Sequence, residues 1–130
     1  MGEAKVSRKR LIQAIQNALE PLPSVYAGWE GGSAAFDALD RYSDIDLTFL
    51  VDPQASVDAL FEAVACELER VSPIVACYHE PPGIWEGITH RFFRLADTDE
   101  YLLIDLAMLR ADARDRFLEV ERHGHVLPLF

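Results

Sequence analysis

Residues 28–47 read GWEGGSAAFDALDRYSDIDL, and the reading of the whole chain turns on them. A Gly31-Gly32-Ser33 turn is followed, after ten intervening residues, by Asp44-Ile45-Asp46. The acids head an apolar run, Leu47-Thr48-Phe49-Leu50-Val51. Alternate side chains of a strand share a face, so Asp44 and Asp46 point the same way, about 7 Å apart at their Cα atoms. Two carboxylates aimed at one spot repel each other and gain no apolar burial. A hard divalent cation is the usual reason to hold them there. The Gly-Ser turn upstream offers backbone N–H groups and a hydroxyl, which suit a phosphate. Cation and phosphate together point to a nucleotide.

Working outward, SRKRLIQAIQNALE (7–20) places Leu11, Ile12, Ile15, Ala18 and Leu19 at helical spacing, with Ser7 as N-cap and Pro21 as stop. Residues 24–29 read as a short strand entering the glycine turn. A short helix is expected over 34–39, which puts Ser33 at a helix N-terminus and adds partial positive charge there. Residues 45–51 form a strand ended by Pro53. Ser56 caps a helix through about Arg70, with Val57, Leu60, Phe61, Val64, Ala65 and Leu68 on one face. Strands follow over 74–79, 88–95 and 101–109. The last two are joined by the turn 96–100 into an antiparallel hairpin. Pro81-Pro82-Gly83 makes 80–86 a loop, 111–121 is helical, and 125–130 supplies one more edge strand. Helices interleave with strands early and a hairpin follows. The expected fold is therefore α+β with α/β-like features, a mixed β-sheet flanked by helices, with residues 1–130 as one domain.

Asp105 is the anomaly of the strand YLLIDLAML, which is apolar on both sides of that one acid. A carboxylate inside a buried strand is costly unless it is paired or bound to metal. Alone, an ion pair with Arg91 or Arg94 on the neighbouring strand explains it. Beside an Asp-x-Asp strand in the same sheet, the metal reading is better. Three converging acids make an oxygen-rich site suited to Mg²⁺, with nucleotide phosphates completing the octahedron.

The composite of Gly32-Ser33, Ser43-Asp44-Ile45-Asp46-Leu47 and a later strand aspartate resembles the nucleotidyltransferase superfamily that includes DNA polymerase β. It looks most like the small bacterial and archaeal members related to aminoglycoside adenylyltransferases. The element order fits that fold over nearly the whole chain. The resemblance implies that Gly32 and Ser33 hold the β- and γ-phosphates of a nucleoside triphosphate such as ATP. It implies that Asp44, Asp46 and Asp105 bind Mg²⁺, and that Asp105 accepts a proton from the acceptor. The implied reaction is attack of a hydroxyl, on a small molecule or a protein, at the α-phosphate, with release of pyrophosphate. Phe36 and Asp37 depart from the Gly-Ser-x-Ala-x-Gly pattern of relatives, which carry a basic residue and a glycine there. Relatives commonly continue into a helical domain that helps form the acceptor site, so the chain is a stand-alone minimal version or the N-terminal part of a longer protein. Members of this size also serve as the antitoxin of a toxin–antitoxin pair. The alternative reading is thus a non-catalytic or weakly active interaction module with a helical partner protein.

The formal net charge of −10, with Lys5 and Lys9 the only lysines, offers no basic face for a long nucleic acid. No apolar run approaches the roughly 20 residues needed to span a bilayer. Cys66 and Cys77 lack metal-ligand spacing and read as reduced core thiols of a cytoplasmic protein. His123-x-His125 reads as a solvated terminus. Trp29, Trp85, Phe92 and Phe93 read as core, and His90, Arg91 and Arg94 lie on the strand expected beside Asp105.

Overall fold

The computed structural model describes residues 5–31, 44–81, 87–99, 102–112 and 127–130. The protein is α+β. Its described elements run α1 (Arg8–Leu19), β1 (Val25–Glu30), β2 (Ile45–Val51), α2 (Val57–Val71), β3 (Ile74–His79), β4 (Ile88–Leu95), β5 (Ile104–Arg110) and β6 (Leu127–Pro128). The expected helices over 34–39 and 111–121 lie outside the described residues.

Both helices start where a serine can satisfy a free N–H group. Ser7 Oγ accepts from the Arg10 N–H at 3.1 Å, and Ser56 Oγ accepts from the Ala59 N–H at 3.3 Å. The six strands form one sheet in the order β3-β4-β5-β2-β1-β6. β2 and β5 pair in parallel, and the other neighbours pair antiparallel. The hairpin expected from residues 88–109 is present as β4–β5, although β5 begins at Ile104. Before it, the Leu102 N–H turns back to the Asp99 carbonyl at 3.0 Å. The C-terminal edge strand is present as β6, paired with β1 through Trp29↔Pro128 and Glu30↔Leu127.

Burial along β2 alternates without exception. Ile45, Leu47, Phe49 and Val51 are fully buried, and Asp46, Thr48 and Leu50 are half-buried. The buried set packs against Leu11, Ile15 and Leu19 of α1 and Phe61, Val64 and Leu68 of α2. Ile104, Leu106 and Met108 extend the same layer from β5. One sheet face therefore carries the two helices and the main core. Opposite them lies a smaller cluster of Ile88, Ala107 and Leu109, joined by Trp29 and Leu50.

Some expectations about burial need correction. Cys66 and Cys77 are free, but both are exposed. Cys66 falls on the far side of α2 from the buried stripe Leu60, Phe61, Val64 and Leu68. Cys77 sits on β3, an edge strand whose Val75 and Tyr78 are 63% and 58% exposed. Phe93 is core, whereas Trp29 and Phe92 are only half-buried because they belong to the face without the two helices. Trp85 lies outside the described residues. No described helix is long and apolar enough to cross a membrane.

Gly28 marks the tightest packing. It lies in β1 opposite Phe49, and a Cβ there would sit 2.6 Å from two carbons of that ring and 3.3 Å from the Phe130 ring. Phe49 is fully buried and cannot swing away. Gly28→Ala is expected to destabilise the fold by about 1–3 kcal/mol, the usual cost of overpacking. Thermal unfolding that leaves Tm unchanged would refute this account of the β1–β2 contact.

Candidate functional site

The site arises from strand register. β2 and β5 run in parallel with Ile45 beside Ile104, Asp46 beside Asp105 and Leu47 beside Leu106. Side chains on a strand alternate, so pointing the leucines and isoleucines at the helices turns both aspartates to the opposite face. Two acids thus stand directly opposite each other on the two central strands. The β4 residue across from Asp105 is Phe92, and His90 lies across from Ala107 on the same face.

Asp46 is a perturbed acid. Burial pushes its pKa above the ordinary 3.8, and the neighbouring Asp105 charge pushes the same way, with smaller contributions from Asp44 and Glu30. His90 opposes the shift. The His90 Nδ1 lies 3.5 Å from Asp105 Oδ1 and 3.9 Å from Glu80 Oε2. Its own pKa is raised above 6.5, because the contact with Asp105 outweighs burial and the charges of Glu80 and Asp46 add to it. Asp105 Oδ1 and His90 Nε2 are buried and have no hydrogen-bond partner of good geometry.

Asp44 stands just before β2 and is exposed. Its Oδ1 accepts from the Leu103 N–H at 3.2 Å, tying the head of β2 to the approach to β5. Its carbonyl accepts from Arg8 Nη2 at 3.2 Å. Arg8 also forms a 2.5 Å ion pair with Glu30, the last residue of β1. One side chain of α1 therefore holds the chain on both sides of residues 32–43. Gly31 follows β1, donates its N–H to the Asp46 carbonyl at 2.9 Å, and would place a Cβ 4.0 Å from Asp46 Oδ2. The start of the glycine turn thus reaches the acid pair. Gly32, Ser33, Phe36 and Asp37 lie outside the described residues, as do His123 and His125.

Of the three expected acids, Asp46 and Asp105 stand side by side, while Asp44 caps a backbone N–H beside them. Among the described residues, no three of His, Cys, Asp and Glu form a group that could hold a metal ion. Asp105 does not pair with Arg91. That side chain is on the helix-bearing face, where Nη2 meets Asp58 Oδ1 at 2.8 Å and the guanidinium lies 4.5 Å from the centre of the Phe61 ring. The two-residue period of β4 decides this: His90 and Phe92 share the face of Asp105, and Arg91 cannot. Glu80 was read only as part of a loop. It is brought to His90 by the β3–β4 register, which its N–H extends by donating to the His90 carbonyl at 3.2 Å. No signal in the local sequence marks that contact.

No family model matches the chain, and no curated protein matches it in sequence.

The arrangement stores repulsion that a cation or a proton relieves. Asp46→Asn is expected to stabilise the metal-free protein at pH 7 by about 1 kcal/mol, the scale of a like-charge pair directly opposite across strands. Because the folded-state pKa of Asp46 is raised above 3.8, its contribution to stability is fully present below that value and is lost as pH rises through the raised one. The stability gap between variant and wild type should therefore open as pH increases from about 4, the ordinary carboxyl range. Chemical denaturation across that range checks it, and a gap of constant size would contradict the electrostatic account.

Proposed function

We propose that the chain is a Mg²⁺-dependent nucleotidyltransferase, moving a nucleoside monophosphate from a triphosphate such as ATP to a hydroxyl acceptor. The observation that carries the reading is the parallel register that sets Asp46 beside Asp105, with Gly31 adjoining Asp46. The resemblance in the sequence called for a strand aspartate beside an Asp-x-Asp strand, and for a glycine turn next to it. Strand pairing that follows from hydrophobic packing alone supports both.

Two of the carboxylates that a hard cation would need stand together, Asp46 beside Asp105, while the described residues assemble no group of three. Asp105 Oδ1 is buried with the His90 Nδ1 3.5 Å away, and burial and the charge of Asp105 raise the pKa of Asp46, so the pair carries negative charge that a cation would offset. Asp46 and Asp105 would hold Mg²⁺, joined by Asp44. Bound there, the ion would neutralise phosphate charge and polarise the phosphoryl oxygens. Gly32 and Ser33 would bind the β- and γ-phosphates. The acceptor oxygen forms a bond to the α-phosphorus as the bond to the β-phosphate oxygen breaks. Its proton passes to Asp105, and pyrophosphate leaves. Phosphoryl transfer of this kind needs positioning and charge neutralisation more than covalent chemistry from the protein. A triphosphate substrate and free thiols suit the cytoplasm.

A non-hydrolysable ATP analogue should raise Tm only when Mg²⁺ is present. At about 100 times its dissociation constant the ligand adds about 2.7 kcal/mol. The double variant Asp44→Ala, Asp46→Ala should lose that shift and any pyrophosphate release from ATP. Pyrophosphate release undiminished in the double variant would sink the proposal. An absent Tm shift in the wild type would instead favour the interaction module, to be sought by copurification of a helical partner.

A further inference from the structure

We infer that Glu80, His90 and Asp105 form an orienting relay, in which His90 positions the Asp105 carboxylate toward the cation and Glu80 holds His90 in place. The inference rests on the proposed cation-binding role of Asp105.

Both acids meet the same edge of the imidazole. His90 Nδ1 is 3.5 Å from Asp105 Oδ1 and 3.9 Å from Glu80 Oε2, so one ring nitrogen faces both acids. The His90 and Glu80 side chains are only 17% and 18% exposed. The Glu80 N–H donates to the His90 carbonyl at 3.2 Å, which locks the two residues at the same level of the sheet. The Phe92 ring lies beside the imidazole at 6.1 Å between centroids, and Tyr78 packs on Phe92 at 5.8 Å, so aromatic rings brace that side. Asp105 Oδ1 has no other partner in good hydrogen-bond geometry, which leaves the His90 Nδ1 at 3.5 Å as the donor that faces it among the described contacts.

An imidazole that merely filled space would be a poor choice here. Leaving a buried ring nitrogen without a partner costs roughly 1–3 kcal/mol, and a leucine of similar size would avoid it. The cost is understandable if the ring sets the direction of a carboxylate that has to meet a ligand. Groups that orient a metal-binding side chain through a hydrogen bond or ion pair typically change metal affinity by 10–100-fold, roughly, when removed. Because His90 would act through Asp105, it is a positioning residue and not a catalytic one.

Mn²⁺ serves as the probe, since its free form can be counted by electron paramagnetic resonance without any turnover. The wild type should bind it, and Asp105→Asn should abolish or strongly weaken binding. His90→Leu should weaken Mn²⁺ binding about 10–100-fold. His90→Asn, whose amide N–H can reach toward the same oxygen as Nδ1, should recover much of the loss. Glu80→Gln should lie between His90→Leu and wild type. Circular dichroism of the metal-free variants should match the wild type, which separates positioning from folding. His90→Leu with wild-type Mn²⁺ affinity, alongside an Asp105→Asn that has lost it, would overturn the relay alone. Equal losses in His90→Leu and His90→Asn would also overturn it, since the donor would then be irrelevant. A wild type that binds no Mn²⁺ would overturn the cation site and the relay with it.

Discussion

The parallel pairing of β2 with β5 is the constraint on which the rest of the structure depends. Ile45, Leu47, Phe49 and Val51 on one strand and Ile104, Leu106 and Met108 on the other are buried under α1 and α2. A slip of one residue in either strand would turn that whole set to the opposite face. Each buried aliphatic or aromatic side chain contributes about 1.5–3 kcal/mol relative to exposure. Two carboxylates facing each other across strands cost about 1 kcal/mol. Packing wins by a wide margin, and the acids are carried into contact by forces that have nothing to do with them. A site of this kind can be rigid before any ligand arrives, because its geometry is inherited from the core.

The face without the two helices is graded in chemistry along one row of the sheet. Tyr78 and Phe92 stand on β3 and β4, Asp105 and Asp46 on β5 and β2, and Gly31 closes the row beside β1. Rings lie to one side of the acid pair, and Gly31 lies to the other. Arg8 adds a second kind of order from beneath. It comes from the helix-bearing side, pairs with Glu30 and reaches the Asp44 carbonyl, so the two strand ends flanking residues 32–43 are held by one guanidinium. The negative charge of the site is thus met by His90 on one face of the sheet and by Arg8 near the strand ends.

Much of this was legible in the chain. Ser7 and Ser56 announced the two helices, and the period-two alternation of IDLTFLV announced β2 and its two faces. The Asp-x-Asp spacing and the lone acid of YLLIDLAML marked Asp46 and Asp105, because charged residues in apolar strands are conspicuous. The partner of Asp105 was not legible. Arginines 91 and 94 were the obvious candidates by charge, yet Arg91 lies on the wrong face of β4, and His90 takes the contact. Glu80 carried no local mark, since its meeting with His90 depends on how two strands align across a long turn. The cysteines misled for a related reason: apolar character suggested burial, but β3 is an edge strand and Cys66 falls off the buried stripe of α2.

By itself the sequence determined the α+β order of elements, the strand that carries Asp46 with Asp44 at its head, and Asp105 as an acid out of place. Those features are local, written in caps, breakers and hydrophobic period. Only the tertiary structure decided that Asp46 and Asp105 stand directly opposite each other, that Asp44 is partly spent on the Leu103 N–H, and that His90 and Glu80 complete the cluster. Each is a matter of register between strands distant in sequence. Register is set by how well two strands bury their apolar sides together, a property that no single strand contains.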